Sequence, residues 1–372
     1  MGGHDLAVHL LDGSSRQHPV ESAGSWRDLI ALAGAFVSGN TPAAPFTTST
    51  RLASELLTLA YDDQRLYSDF TAMLGSGAPT AKPQAGEPTV AIQVLRNTNL
   101  EGYGYLHVTR EGRGMQALDY FIGYGRPDCP YREVGQFASW RAFSDDGDSE
   151  RPLFLIRGEH CFFRLTDNWT IVALSLVFRA AFGFQEDAIL FHAAAVVVRG
   201  KGFMLAGPRY AGKSTLSLAL AARGHSFLSD EIAWYVPSTR QLIAFRRPVG
   251  VRNGIRAAAI DARIKDLAGD GIEWHDSLRL PVDALVPQEA AQTATLDVVV
   301  FLKGFEEKPR IVALQPSLDL LPMLQPTPVS MLNASPARRM LEMVRLVSSV
   351  RMYDLYPGHP DETARILEEI AR

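Results

Sequence analysis

The sequence predicts a mixed α/β protein, on three observations. An eight-residue run, Gly207 to Ser214 (GPRYAGKS), lies between apolar strand-like segments and a helix-like one. Residues 89–164 carry alternating apolar and aromatic runs separated by turn residues, the pattern of an antiparallel sheet. The last third alternates apolar strand-like runs with helical patterns.

Taken in order, Trp26–Val37 and Arg51–Met73 have helical spacing and flank a Pro/Thr-rich stretch at 39–50. Residues 75–88 (GSGAPTAKPQAGEP) are rich in Gly, Pro and Ala and read as a linker. Strands follow at 88–95, 102–110, 115–125, 152–158 and 160–165. The aromatics there, Tyr103, Tyr105, Tyr120, Phe121, Tyr124, Tyr131 and Trp140, suit either a packed core or a peptide-binding face. Trp169–Phe184 is apolar but broken by Arg179 and short for a bilayer, so it reads as a buried helix. Ala194–Val198 and Gly202–Ala206 read as two strands joined at 199–201, and Thr215–Arg223 as a helix ended by Gly224. Phe227–Val236 (FLSDEIAWYV) reads as one apolar strand with two acids at its centre. The segment 256–292 leaves a substrate loop or a helical insertion open. Leu296–Phe305 and Arg310–Leu314 read as strands, and Ser335-Pro336 as a cap and first residue of a helix to about Val350. The expected division is a helical segment over 1–74, a linker over 75–88, an antiparallel β accessory region over 89–166, and an α/β domain over 167–372.

With 372 residues, 47% hydrophobic and 21% charged, the chain can bury a large core in about two domains. A formal net charge of -4 argues against a nucleic-acid partner, and the pairs Arg246-Arg247 and Arg338-Arg339 are too small to reverse it. Cys129 and Cys161 are too few for a disulfide framework, so a cytoplasmic setting without a membrane partner is expected.

GPRYAGKS satisfies G-x-x-x-x-G-K-[ST], a match that arises by accident in about one chain in a hundred of this length, so its flanks decide its meaning. Strand, loop and helix stand in the order that phosphate binding needs. Gly207 and Gly212 permit backbone angles that turn successive amides inward on a phosphate, at the positive end of the following helix. Pro208 removes one donor, leaving Arg209, Tyr210, Ala211 and the residues after them to supply the rest. Lys213 neutralises the outer phosphates, Ser214 ligates a magnesium ion, and Thr215 is a lesser phosphate contact. The expected ligands are therefore ATP and Mg2+.

Asp230 and Glu231 are costly on an apolar strand unless a cation or a proton transfer occupies them. We expect Asp230 near the metal and an attacking hydroxyl, with Glu231 as alternate in either role. Adjacent strand residues point to opposite faces, so both serve one site only if the strand ends or twists there. A surface turn is the competing reading, since Ser229 and Asp230 suit turns. His275-Asp276 reads as surface.

Residues 190–235, from LFHAAAVVV through GPRYAGKS to SDEIAWY, resemble the nucleotide-binding core of the HPr serine kinase/phosphorylase family and its HPr-kinase-related relatives. The features carried over are His192 before the loop, Arg223-Gly224-His225 after the helix, and Ser229-Asp230-Glu231. FRRPVGVRN (Phe245–Asn253) and the tail Met352–Ile370 are similar to later segments of those relatives. The glutamate-led signature of the HPr kinases themselves is missing where this chain reads RRPVGVRNGI, so the chain looks closer to the related kinases found beside peptide-modifying enzymes. The resemblance implies a P-loop kinase domain of HPr kinase / PEP carboxykinase type with an N-terminal α+β accessory domain. It also implies a site role for His192, and it leaves a homo-oligomer open. Arg247, Arg252 and Asn253 are weaker nominations for stabilising a phosphoryl group in flight.

The expected candidate catalytic set is His192, Lys213, Asp230, Glu231 and Arg252, with Ser214, Asp230 and Glu231 on the metal. The expected function is transfer of the γ-phosphate of ATP to a serine or other hydroxyl of a peptide, protein or small molecule. A nucleotide-switched binding protein without transfer is the alternative. A small-acid carboxykinase ranks last, for want of that family's substrate-binding arginine pattern.

Overall fold

Period-two burial builds the first sheet: in Thr89–Leu95 the residues Val90, Ile92 and Val94 are buried on one face, Thr89, Ala91 and Gln93 are half-buried on the other, and Leu95 is buried as well. The computed structural model describes residues 23–39, 44–52, 55–66, 89–118, 131–145, 151–166, 188–252, 258–267, 272–274, 277–286, 291–324 and 336–372. It also describes positions 122, 129, 169, 172–173 and 176–178. Together these form a mixed α/β structure with three sheets.

Helix α1 spans Ala23–Ser38 and precedes nine strands: β1 Phe46–Leu52, β2 Glu55–Tyr61, β3 Thr89–Leu95, β4 Tyr103–Arg110, β5 Arg113–Gly114, β6 Arg132–Phe137, β7 Trp140–Ser144, β8 Phe154–Arg157 and β9 His160–Arg164. They pair in the order β1-β2-β3-β4-β9-β8-β7-β6, with β5 beside β4. Only β2 and β3 run parallel. One face packs Ile30, Ala33 and Phe36 of α1 against Tyr105, Trp140 and Phe162. The other packs Leu57, Ile92 and Phe154 against Trp169, Ala173, Leu176 and Val177, and against Trp234 and Phe245 of the second half. The described residues within Trp169–Phe184 are helical. Of the aromatics named above, Tyr103, Tyr105 and Trp140 are core and Tyr131 is partly buried, while Tyr120, Phe121 and Tyr124 lie outside the described residues.

The helical reading of Arg51–Met73 is corrected: β1 and β2 form an antiparallel hairpin from Phe46↔Tyr61 to Leu52↔Glu55. Alternation in ELLTLAY, which puts Leu57, Leu59 and Tyr61 inside, wins over the helical spacing of its leucines. Strand 115–125 is not borne out either, since the described residues 115–118 and 122 form no strand. The linker 75–88 lies outside the described residues.

The second half continues with β10 Ile189–Phe191, β11 Ala193–Val198, β12 Lys201–Ala206, α2 Lys213–Ala222, β13 Ser226–Ser229, β14 Ala233–Val236, β15 Gln241–Ile243, β16 Val249–Val251, α3 Ala258–Leu267, β17 Ile272–Trp274, β18 Ser277–Leu280, α4 Val282–Leu285, β19 Thr293–Leu302, β20 Arg310–Leu314, α5 Pro336–Ser349, β21 Arg351–Tyr356 and α6 Pro360–Ile370. The second sheet runs β10-β14-β15-β19-β12-β11-β13, with β21 between β19 and β20. At its centre β12, β19 and β21 are parallel. All six residues of β11 are buried, as a strand covered on both faces requires. Leu216 and Leu220 of α2, with Ala364 and Leu367 of α6, cover one face; Met343, Leu346 and Val347 of α5 cover the other. Each such leucine contributes about 2 kcal/mol. Gly202 is required where β12 meets β19, because a Cβ there would stand 2.2 Å from the Thr295 carbonyl oxygen.

The open segment 256–292 supplies α3, α4 and, with Val249–Val251, a three-stranded sheet β16-β18-β17. Ile260, Leu280 and Leu285 of this segment, with Val249 of β16, pack on Leu218 and Ala221 of α2.

Candidate functional site

The strand–loop–helix unit folds as its sequence predicts. A tight turn with Arg199 (φ 50°) and Gly200 (φ 82°) joins β11 to β12, and β12 ends at Ala206, where the loop begins. Gly207 lies against β19: a Cβ on it would meet the Leu302 carbonyl oxygen at 3.1 Å. Tyr210 (φ 68°) and Gly212 (φ 91°) both adopt left-handed angles, and Gly212 caps α2. Those two reversals wind the loop around the helix start, whose first-turn amides have no intrahelical acceptor.

Lys213 is the first residue of α2 and is buried. Its Nζ donates to the carbonyl oxygens of Gly207 at 2.8 Å and Pro208 at 3.0 Å, so the cation sits inside the loop. Burial lowers its pKa, opposed by Asp230 and Glu231. The Ser214 hydroxyl lies 2.9 Å from each Asp230 oxygen. Thr215 follows, half-buried; Pro208, Arg209 and Tyr210 line the exposed rim, and Ala211 turns inward.

The single strand expected over Phe227–Val236 is corrected. β13 stops at Ser229, Ile232 N–H donates to the Asp230 carbonyl at 2.8 Å, and Glu231 takes φ 63° before β14 begins. This break separates the two acids by role. Asp230 is buried and faces Ser214; burial, then the charge of Glu231, pushes it up to about 6 against the Ser214 hydrogen bond. Glu231 turns to a cluster of guanidinium groups: Arg247 donates to its Oε2 at 2.9 Å, and Arg279 lies at 3.6 Å. Burial alone would raise Glu231, but Arg247, Arg279, His192 and Arg252 together outweigh it and hold the carboxylate below its ordinary range.

His192 occupies the one-residue gap between β10 and β11 and hydrogen-bonds to the Glu231 backbone. Burial and the nearby Lys213 lower its pKa, so the imidazole is neutral at pH 7. Arg252 lies 5.2 Å from the Tyr210 ring centroid, with Arg209 at 4.9 Å from the same ring. Lys213, Ser214, Asp230, Glu231, His192 and Arg252 therefore share one site; Asn253 and His275-Asp276 lie outside the described residues.

No family model matches the chain, and no curated protein matches it. Among solved structures it is similar to the HPr(Ser) kinase/phosphatase from Coxiella burnetii. That likeness has 17% sequence identity and a TM-score of 0.27, over 49% of this chain and 93% of that one. The resemblance drawn from the sequence therefore stands on the residues quoted for it.

Sequence reasoning missed Arg279. It comes from β18, in the segment left open, and reaches Glu231 only because the small sheet packs on α2. Its lone signal was an arginine between the two leucines of the SLRL strand.

Oxygen donors from Ser214 and Asp230 suit Mg2+, which takes one or two protein oxygens and completes its shell with phosphates and water. Among the described residues no cluster of three or more His, Cys, Asp or Glu stands ready for a metal, so a cage-type site for another cation is not offered.

Proposed function

We propose that the protein is an ATP-dependent phosphotransferase acting on a serine or other hydroxyl of a peptide, protein or small molecule. The observation that carries this reading is the contact of Ser214 with both oxygens of Asp230, immediately beside Lys213 in the loop. In a fold built only for packing, a buried lysine and a buried aspartate at one helix start would be a cost without return.

In this reading the loop amides and Lys213 hold the triphosphate, with Lys213 exchanging its two carbonyl acceptors for phosphate oxygens. Ser214 and Asp230 are the residues to hold Mg2+, whose chemistry when bound is to neutralise charge on the β- and γ-phosphate oxygens. The acceptor hydroxyl oxygen attacks the γ-phosphorus, the bond to the β-phosphate oxygen breaks, and ADP leaves. The hydroxyl proton passes to Asp230, the buried carboxylate that faces Ser214. Glu231 acts through the arginines it holds: it keeps Arg247 and Arg279 beside the transferring group. Neutral His192 ties the Glu231 backbone in place.

Incubation of the protein with Mg-ATP and candidate peptides tests the reading by mass spectrometry. A gain of one phosphate is expected, reduced by roughly 10²–10³-fold in Lys213→Ala and in Asp230→Asn. Full activity in Asp230→Asn sinks the assignment of the acids. Thermal stabilisation by Mg-ATP with no transfer to any acceptor supports the nucleotide-switched alternative instead.

A further inference from the structure

Three strands of the second sheet run in one direction, so their carboxyl ends open along one edge. β12 ends at Ala206 and leads into the phosphate loop; β19 ends at Leu302 and β21 at Tyr356, with Ala206 opposite Phe301 and Leu302 opposite Leu355. In sheets of this kind ligands bind in the crevice outside those ends. Asp230 directly follows β13, on the β11 side of β12, and the loop after β19 lies on the other side of β12. A nucleotide whose outer phosphates point toward Asp230 must extend its sugar and base away from the acids, along the edge that β19 and β21 occupy.

Phe305 stands there. It is 66% exposed, an unusual state for a large apolar ring, and no aromatic or cationic group partners it among the described residues. Its ring reaches the phosphate loop: a Cβ on Gly212 would lie 3.3 Å from its Cζ. The segment that displays it is braced. Lys303 N–H donates to the Leu355 carbonyl at 2.8 Å and Glu306 N–H to the Pro357 carbonyl at 2.9 Å, while Lys303 Nζ pairs with Asp354 at 3.2 Å. Beyond it, Arg310 pairs with Glu306 at 2.8 Å and lies 3.9 Å from the Tyr356 ring centroid. Tyr210, the other exposed ring at the loop, is already engaged by Arg209 and Arg252 on the acid side.

We propose that Phe305 is the stacking platform for the nucleobase of the bound nucleotide. The inference rests on the phosphate loop gripping a triphosphate and adds the place where the base lies. The braced backbone is fixed before the ligand arrives, so stacking orders only the Phe305 side chain and most of the gain is retained in affinity. Stacking tolerates any base, because each has a π-face; Phe305 thus supplies affinity for a nucleoside part rather than selection among bases.

Equilibrium titration of the full chain with two probes tests this, both with Mg2+: ATP, and inorganic tripolyphosphate, which has the phosphates without the base. Phe305→Ala is expected to weaken ATP roughly 5- to 150-fold while tripolyphosphate affinity stays unchanged. Phe305→Tyr is expected to restore ATP binding, and Lys213→Ala to weaken both probes. Equal ATP affinity in Phe305→Ala and the unaltered chain overturns the platform, as does a parallel loss of both probes. Should the unaltered chain bind tripolyphosphate as tightly as ATP, the platform fails while the phosphate loop stands. Binding of neither probe overturns both readings.

Discussion

The two large sheets of this chain use polar burial in opposite ways. In the first, the buried polar residues among those described are Thr50 and Ser144, both uncharged. In the second half they include Lys213, Asp230 and Arg279, and all three charged groups converge on one helix start and the turn beside it. Charge is expensive to bury, and a sheet that needs only to fold avoids it. The first sheet therefore reads as stability and the second as stability surrendered at one place for chemistry, the pattern expected where a functional site departs from packing rules.

Removing a core ring from the first sheet breaks that comparison most severely. Trp140 is 1% exposed and sits among Tyr105, Phe162 and α1. Trp140→Ala is expected to cost about 3–5 kcal/mol in denaturant unfolding, with tripolyphosphate affinity of the folded fraction unaltered. An equal loss of affinity per folded molecule would mean that the first sheet shapes the phosphate site.

A smaller effect comes from the cluster around Glu231. Arg247→Met is expected to cost roughly 1–3 kcal/mol, less than a fully buried pair because the Glu231 side chain is 33% exposed. Addition of Glu231→Gln should recover part of the loss, since the damage lies in an uncompensated charge rather than in lost contacts. Additive losses in the double variant would place the pair with the packing-dominated first sheet after all.

The smallest effect separates the site from its scaffold. Glu368 of α6 accepts from Arg223 at 2.7 and 2.8 Å and from His225 at 3.0 Å, which tie α6 to the end of α2. The hydrogen bond from Arg223 leads the causes that hold Glu368 at about 2, below its ordinary 4.5. A depressed carboxylate stabilises above its ordinary pKa, and that stability is lost as pH falls from about 4.5 toward 2. Glu368→Gln should flatten the stability–pH curve in that window while costing under about 1 kcal/mol at pH 7. An unchanged curve would assign the acid sensitivity elsewhere.

How much of this was legible depended on how local each determinant is. The strand–loop–helix geometry around Gly207–Ser214 was readable because glycine positions, an apolar strand and a helix stop at Gly224 are all short-range signals, and they recur as β12, the left-handed Gly212, and α2. The helix began two residues earlier than expected, at Lys213, because the left-handed cap at Gly212 lets α2 start there. The hairpin at Phe46–Tyr61 was misread because its parallel neighbour β3 begins only at residue 89, and that distant pairing decides between two workable periodicities. The break at Glu231 was hidden inside an apolar run, since glutamate gives no hint of a positive φ. Arg279 could not be found at all from spacing; its distance from Glu231 is a product of the whole small sheet docking on α2.

The order in which a ribosome delivers these strands has its own consequence. β11 is wholly apolar and β12 is so after Lys201-Gly202, yet β12 gains its parallel neighbour only with residues 293–302, and β19 gains its second only with 351–356. Until then the free side of Lys201–Ala206 is an uncovered edge, the kind that holding chaperones recognise. Nascent chains of this protein should accordingly acquire protease resistance in the phosphate loop in one late step, after α6 docks on α2.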